Sequence, residues 1–439
     1  MSPTSTTVEL FDQYVMPTYG RFPLQLARGA GSRIWDEAGR EYLDFGAGIA
    51  VTSVGHCHPK VTARMTEQMA TLVHTSNLYY TRPQGELAKR LVEIVGALGK
   101  IFFCNSGAEA NEALYKLARK FGNETNGFAH PNAGTSNPDA PLRRGIITML
   151  GSFHGRTLGG IAATGQDKVK KGFEPMVEGY RHIAFNDVAA LSDAMEDPDT
   201  AAVLLEPIQG EGGIHAADGA YLRAARAICD QRSCLLMFDE VQCGLGRTGD
   251  WNGWDSLAPD IKPDAVSWAK GIAGGFPVGA VWVSARLVQM RSGEVKPLCD
   301  LLGQGSHGTT FGGTPLMCAG ALEVLGIIER EHLLENVRQQ GRHAVAGLQA
   351  LHSIWIREIR SVGLMIGIEM VADFASRCML PAGKAPSIYL VERLHEAGLI
   401  TIPSGTHTLR WLPPLNVSEA DVDEAIRILG GVLAALPQV

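Results

Sequence analysis

Short apolar runs alternate along this chain with segments of helical length. Each run is four to six residues long and largely apolar, which is typical of a buried strand. The runs are residues 101–104, 145–150, 201–205, 234–238 and 265–268. Polar or glycine-rich segments follow each of them. This order predicts an α/β fold built on an open, mostly parallel sheet, with the ligand at the carboxyl edge of the strands.

Helices are indicated where apolar positions recur at a spacing of three or four residues. Ser106 and Glu109 have the spacing of a capping box, and an apolar face follows them. Residues 315–330 predict a long apolar helix, and Ser418 is the predicted cap of a last helix. The Asn-, Gly- and Pro-rich residues 121–144 predict a surface loop.

Two segments near the N-terminus lie outside this pattern. Residues 46–51 form a glycine-spaced apolar stretch, of a kind that lets a ligand or another backbone approach closely. His56 and His58 suggest a metal site, but no second pair of ligands with suitable spacing follows them. We therefore expect a turn before a helix here, and no metal.

The composition argues against several classes of protein. A chain of 439 residues with 45% hydrophobic and 19% charged residues predicts a soluble globular protein of two or three domains. It has no apolar run near the ~20 residues of a membrane span and no signal-peptide pattern, so we expect a cytosolic protein without a membrane partner. The net charge of −7 argues against nucleic acid as a partner. The eight cysteines show no paired spacing, which favours reduced thiols.

Lys270 is the candidate for covalent chemistry. It follows the run 265–268 and precedes the mostly small residues 271–275, which leave room for a flat ring. A lysine amine is a weak nucleophile near its ordinary pKa of about 10.4, and burial or a nearby cation lowers that pKa and frees the lone pair for Schiff-base chemistry. A solvated surface lysine is the alternative, because most lysines are exposed.

Further residues suit a planar, phosphorylated ligand. The helix after Ser106 offers free N–H groups to a phosphate, although any capped helix after a strand has this pattern. Phe153 and Arg156 follow a strand, where an aromatic ring can stack on a planar ligand and a guanidinium can bind a carboxylate. Asp239, after a buried run, can hold a pyridinium N–H, and Gln242 can hydrogen-bond a phenolic oxygen. With the lysine, these residues indicate pyridoxal 5′-phosphate.

Six ordered motifs make the chain similar to the class III, fold-type I aminotransferases over nearly its whole length. They are Asn-Ser-Gly-Ala-Glu-Ala (105–110), Phe-His-Gly-Arg-Thr (153–157), Glu-Pro-Ile-Gln-Gly-Glu-Gly-Gly (206–213), Phe-Asp-Glu-Val-Gln (238–242), Ala-Lys-Gly (269–271) and His-Gly-Thr-Thr-Phe-Gly-Gly (307–313). The resemblance implies a large domain with a mostly parallel seven-stranded sheet, over residues 59–313. It also implies a small α+β domain that combines residues 1–58 with residues 314–439.

The same resemblance implies which residues hold the cofactor. Ser106, Gly107 and Ala108 would bind its phosphate, and Phe153 would stack on its ring. Thr310 would reach the phosphate bound in the neighbouring subunit. The enzyme would therefore be a homodimer whose active sites lie at the interface.

Within that class the chain is most similar to the acetylornithine aminotransferases, through residues 44–51, 241–249 and 409–415. By this resemblance Arg156 would bind the α-carboxylate of the amino donor or the distal carboxylate of 2-oxoglutarate. Arg410 would bind the α-carboxylate of 2-oxoglutarate, and Glu211 would pair with Arg410 when the other substrate is present. Ile49 lies where ornithine aminotransferases have a tyrosine, which favours an acylated donor over free ornithine.

Other functions are compatible with these motifs. Ornithine, 4-aminobutyrate, succinylornithine and succinyldiaminopimelate are alternative donors, and the insertion 121–144 and Trp411, where phenylalanine is commoner, depart from the family pattern. A non-catalytic regulator that binds the same cofactor would carry a DNA-binding segment or a broken lysine or aspartate motif, and neither occurs. A racemase or aminomutase would need no 2-oxoglutarate, so Arg410 and Glu211 favour amino transfer.

Overall fold

The computed structural model of the chain describes residues 6–129, 137 and 140–437. Its helices are α1 Thr7–Tyr14, α2 Ala47–Ala50, α3 Pro59–Thr71, α4 Arg82–Val95, α5 Gly107–Glu124, α6 Leu158–Ala163, α7 Val188–Ala194, α8 Gly219–Gln231, α9 Pro315–Arg330, α10 Leu333–Ala350, α11 Phe374–Arg377, α12 Pro386–Glu396 and α13 Glu419–Ala434, with 3₁₀ turns at Asp167–Val169, Lys270–Ala273 and Leu298–Asp300. Within these described ranges, no helix combines the length and the hydropathy needed to cross a bilayer.

The strands are shorter than the helices and fall into several sheets. They are β1 Leu26–Ala30, β2 Arg33–Asp36, β3 Glu41–Asp44, β4 Gly99–Cys104, β5 Thr125–Phe128, β6 Gly145–Met149, β7 Tyr180–Ile183, β8 Thr200–Leu205, β9 Ile208–Gln209, β10 His215–Ala216, β11 Leu235–Asp239, β12 Ala265–Trp268, β13 Gly279–Ser284, β14 Leu287–Met290, β15 Val295–Pro297, β16 Ile356–Val362, β17 Met365–Met370, β18 Leu399–Ile400, β19 Ile402–Ser404 and β20 Thr408–Trp411.

A seven-stranded sheet organises the larger part of the molecule, in the order β4-β13-β12-β11-β8-β6-β7. The strands from β12 to β7 are parallel, and β13 is antiparallel to both of its neighbours. Alternate residues of β8 pack into different apolar clusters, Val203 and Leu205 into one and Ala202 and Leu204 into the other. Because both faces of the strand are covered, its sequence is continuously apolar. The predicted mostly parallel α/β sheet is confirmed.

A second body of structure joins the two ends of the chain. Two four-stranded sheets, β1-β2-β3-β18 and β16-β17-β20-β19, make up its β structure. Strand β18 runs parallel to β3, with Leu399 opposite Leu43, and so ties the C-terminal segment to the N-terminal one. One apolar cluster likewise contains Leu43 and Phe45 together with residues from α9 to α13. The domain boundaries at residues 58 and 313 stay predictions.

The predicted surface loop at residues 121–144 is wrong over its first residues. Helix α5 continues to Glu124, and β5 follows at once and pairs with β14. Phe121 and Phe128 are buried, and their ring centroids lie 5.3 Å apart. Their burial keeps the backbone regular although the sequence around them is polar. Residues 130–136 and 138–139 of the predicted loop lie outside the described residues.

Candidate active site

A cavity of about 390 Å³ opens at the carboxyl edge of the seven-stranded sheet, next to the ends of β4, β11 and β12. Ligands of α/β sheets bind at this edge, and cavities of roughly 300–1,000 Å³ are typical of small-molecule sites. The sequence-predicted residues that line the cavity are Ser106, Gly107, Ala108, Phe153, Asp239, Gln242 and Lys270. Residues from four separate segments are thus brought to one place.

Asp239 at the end of β11 is held by a buried network. Its Oδ2 accepts a hydrogen bond from Nδ2 of Asn111 at 2.7 Å and lies 2.8 Å from Nδ1 of His154. Its Oδ1 accepts the N–H of Val241 at 3.0 Å. Asn111 in turn donates to the carbonyl of His154 and accepts from Oγ of Ser267. Hydrogen bonds to a charged group contribute about 1.5–3 kcal/mol each, so the orientation of this carboxylate is strongly fixed.

Lys270 follows β12 in a 3₁₀ turn, with a φ of 43° that is uncommon outside glycine. Among the residues that the structure describes, its amine has no hydrogen-bond or ion-pair partner. Burial is the main cause that lowers the pKa of Lys270; the Glu211 carboxylate opposes this shift and the Arg410 guanidinium adds to it. A lowered pKa favours the neutral amine, which is the nucleophilic form.

The N-terminus of α5 lines the same cavity. Oγ of Ser106 accepts the N–H of Glu109 at 3.2 Å, as expected for a cap. The Glu109 carboxylate accepts from the backbone and side chain of Asn105, so the predicted capping box is only half formed. The N–H groups of Gly107 and Ala108 have no acceptor within the described part of the chain. Free N–H groups at the positive end of a helix suit a phosphate.

Arg410 on β20 is 1% exposed and lies beside the cavity wall. Its Nη1 donates to Oε1 of Glu211 at 2.7 Å and to Oε1 of Gln242 at 3.0 Å. Burial alone would raise the pKa of Glu211, but the Arg410 guanidinium outweighs it and the net shift is downward. A Cβ at position 210 would lie 2.1 Å from the Gln242 amide oxygen, so a residue larger than Gly210 would have to displace that side chain. The buried guanidinium is therefore neutralised by Glu211, whose side chain is 30% exposed.

Five of the sequence-predicted site residues lie outside the cavity lining of this chain: Glu211 and Arg410, which pair beside the cavity, and Arg156, Ile49 and Thr310. Arg156 is exposed and lies over Phe153, with its Cζ 5.5 Å from the ring centroid. Ile49 is 37% exposed and precedes Val51, which does line the cavity. Thr310 is exposed in a loop on a different part of the surface.

Sequence analysis missed two buried polar residues of the site. They are Asn111 and Glu206, to which the local sequence pattern assigns no role. The carboxylate of Glu206 accepts the N–H of Phe153 at 2.9 Å and that of Gly210 at 3.2 Å. Burial raises the pKa of Glu206 to about 7, and the nearby Asp239 carboxylate adds to this shift. The only local signal for Asn111 is a polar residue on the buried face of α5, one turn after its first residue.

These groups fit pyridoxal 5′-phosphate. The cofactor needs donors for a phosphate, a surface for its ring, a partner for each polar ring substituent and an amine. The groups present are the N–H groups of Gly107 and Ala108, the ring of Phe153, the carboxylate of Asp239, the amine of Lys270, and Nε2 of Gln242, which has no partner among the described residues. Each requirement is met by one of them.

Comparison with known proteins gives matches along almost the entire chain. The model of the aminotransferase class-III family matches residues 14–433. An acetylornithine aminotransferase from Synechocystis sp. is 43% identical, over 97% of this chain and 93% of its own length. The solved N-acetylornithine aminotransferase from Stenotrophomonas maltophilia is 33% identical, with a TM-score of 0.76 and 98% of each chain covered. The ornithine aminotransferase from Toxoplasma gondii is 30% identical, with a TM-score of 0.84 over 99% of this chain and 96% of that one. The chain therefore belongs to the class-III aminotransferases, a family of enzymes that use pyridoxal 5′-phosphate.

Proposed function

We propose that the protein transfers the δ-amino group of N-acetylornithine to 2-oxoglutarate, giving N-acetylglutamate semialdehyde and glutamate. The match to curated acetylornithine aminotransferases over nearly the full length supports this donor. The backbone fold alone does not distinguish an N-acetylornithine donor from an ornithine donor, because a solved ornithine aminotransferase has the same fold. The observation that carries the proposal is the buried Arg410 paired with Glu211 beside the cavity, which suits a site that must accept a dicarboxylate and an acylated amine in turn.

Pyridoxal 5′-phosphate, when bound, would stabilise the negative charge that develops on the donor carbon when it loses a proton. We infer that the helix end at Gly107 and Ala108 binds its phosphate and that Phe153 supports its ring. Asp239 would keep the ring nitrogen protonated, because Asn111 and His154 hold the carboxylate in a fixed position. In this proposal the roles of these residues are binding and orientation.

Lys270 is the residue that we expect to carry the proton. Burial lowers the pKa of Lys270, which favours the neutral amine, the form of Nζ that can act as a base. It lies on the cavity wall together with Asp239. We propose that Nζ takes a proton from the donor carbon that bears the amino group and would deliver it to the carbon of the bound cofactor that receives the amino group.

The two half-reactions require two states of the same guanidinium. In the first, the acylated donor needs no countercharge near Arg410, and Glu211 neutralises the guanidinium as observed. In the second, we propose that Glu211 moves away and Arg410 binds the α-carboxylate of 2-oxoglutarate. Arg156 is unpaired among the described residues and lies next to the cavity, so it can bind the other carboxylate.

We propose that the protein acts as a homodimer. Thr310 lies outside the cavity of its own chain, and Phe311 beside it is 62% exposed. Leu78, Tyr79 and Tyr80 are also exposed, and a surface of this kind favours burial against a partner. Analytical ultracentrifugation should give a dimer. Thr310→Ala should weaken cofactor binding but leave the dimer intact. A monomer that retains full activity would contradict the shared-site proposal.

A donor panel tests the proposed reaction directly. Purified enzyme is assayed for glutamate formation from 2-oxoglutarate with N-acetylornithine, ornithine, succinylornithine and 4-aminobutyrate, with Lys270→Ala as the inactive control. We expect the highest kcat/KM for N-acetylornithine. If ornithine or 4-aminobutyrate is preferred by more than about tenfold, equivalent to ~1.4 kcal/mol in the transition state, the donor assignment is wrong.

A further inference from the structure

The four residues of the short element α2, Ala47, Gly48, Ile49 and Ala50, have left-handed backbone angles and form a left-handed turn rather than a regular α-helix. Their φ angles are 46°, 63°, 66° and 61°. L-residues rarely adopt this conformation because Cβ approaches the following carbonyl oxygen, and for a β-branched residue such as isoleucine it is a clear outlier. Only the glycine is free of this strain. Other contacts must therefore hold the turn.

Asp44 and His56 form a clamp at the base of this turn. Oδ1 of Asp44 accepts the N–H groups of Gly46 and Ala47, both at 2.9 Å. Oδ2 of Asp44 lies 2.7 Å from Nε2 of His56. His56 is itself fixed by two backbone hydrogen bonds with Gly31, at 2.8 and 3.0 Å. The Asp44 side chain is 95% buried, so this carboxylate is held rigidly between the turn and the histidine.

The turn is attached to the segments that carry the candidate active site. Val51 lines the cavity, and Oγ of Ser53 donates to the carbonyl of Gly271, directly after Lys270, at 2.7 Å. Ala50 is buried in an apolar cluster that contains Cys243, the residue after Gln242. The cluster includes Ile208, Cys243, Met365 and Leu412. A change in the conformation of the turn would therefore displace residues of the cavity wall.

We propose that Asp44 and His56 are positioning residues for the amino donor. They hold the strained turn, so that Ile49 lies beside the cavity opening and Val51 lies on the cavity wall. Backbone strain is concentrated at functional sites, where the surroundings over-determine it. An apolar, immobile surface suits the uncharged acylated end of a donor and disfavours a free ammonium group. This proposal rests on the proposed function, because it assumes an acylated donor.

The first experiment measures the effect of the clamp on the donor. In His56→Ala and His56→Leu, neither of which can hydrogen-bond Asp44, we expect the KM for N-acetylornithine to rise by about tenfold, equivalent to ~1.4 kcal/mol, while kcat changes by less than about twofold. His343→Ala is the matched control, because its Nε2 lies 2.6 Å from Oδ1 of Asp423 in a surface pair between α10 and α13. That control should leave both constants unchanged. A donor KM that stays at the wild-type value in both His56 variants overturns the proposal.

The second experiment tests whether the clamp holds the left-handed turn. Ile49→Gly and Ile49→Ala both remove the side chain, but only glycine adopts the left-handed conformation without strain. In the otherwise wild-type holoenzyme, the Tm of Ile49→Gly should exceed that of Ile49→Ala. In a His56→Ala background the turn can relax, and the difference should disappear or reverse. An equal difference in both backgrounds would show that His56 does not hold the turn.

The two experiments separate failure of this inference from failure of the proposed function. A wild-type enzyme that does not use N-acetylornithine contradicts the proposed donor, whereas the Tm comparison still decides whether the clamp exists. A wild-type enzyme that uses this donor, with His56 variants of unchanged donor KM, contradicts the inference alone. If His56→Ala is too unstable to purify, His56→Leu takes its place in both experiments.

Discussion

Replacing Glu211 with glutamine tests whether its carboxylate competes with 2-oxoglutarate for Arg410. The two side chains approach to 2.7 Å, and the guanidinium is almost completely buried. A hydrogen bond to a charged group contributes about 1.5–3 kcal/mol, and the lower end applies because 30% of the Glu211 side chain remains exposed. If 2-oxoglutarate must displace this carboxylate, Glu211→Gln should lower the KM for 2-oxoglutarate by roughly tenfold.

The assay is initial-rate kinetics with both substrates varied, because donor and acceptor constants must be separated. Glu424→Gln is the matched control: it pairs with Arg33 at the same distance of 2.7 Å and keeps 32% of its side chain exposed, but it lies between β2 and α13. The control should leave the KM for 2-oxoglutarate unchanged. An unchanged or higher KM in Glu211→Gln would refute the competition, and an equal fall in both variants would show that the effect is not local.

Four further outcomes are expected. Lys270→Ala should reduce glutamate formation by at least about 100-fold, the range of a lost acid–base group. Burial lowers the pKa of Lys270 in the folded protein below its unfolded value of about 10.4. Between the folded and the unfolded pKa the unfolded chain binds one proton more than the folded chain, so the free energy of unfolding of the cofactor-free protein should rise with pH over this range. Calorimetry at several pH values should show this rise, and Lys270→Met should abolish it. His154→Ala should lower kcat by roughly tenfold or more through loss of its contact with Asp239, and a parallel Tm measurement separates this effect from instability. Gly210→Ala should displace the Gln242 amide and weaken cofactor binding, measured by titration, whereas unchanged affinity would show that Gln242 does not contact the cofactor.

The sequence by itself determined the central sheet and two residues of the candidate site, Asp239 and Lys270. β8 and β11 are continuous apolar runs because both of their faces are covered, so their local pattern identifies them without further information. Asp239 and Lys270 each directly follow or end such a run, and the carboxyl ends of parallel strands meet at one edge. Their proximity thus follows from topology alone, and the ordered motifs added the family and the cofactor.

The tertiary structure decided how the buried polar groups pair. Asn111 donates a hydrogen bond to Asp239, 128 residues away in sequence. The carboxylate of Glu206 accepts the N–H of Phe153, which belongs to a different segment of the chain. The left-handed turn at Ile49 depends likewise on a carboxylate and an imidazole from outside it. Local sequence reports whether a residue prefers a helix, a strand or burial, but a buried polar atom is satisfied by whichever partner the folded chain brings within about 3 Å. That distance is set by the packing of whole segments, and it cannot be read from either residue alone.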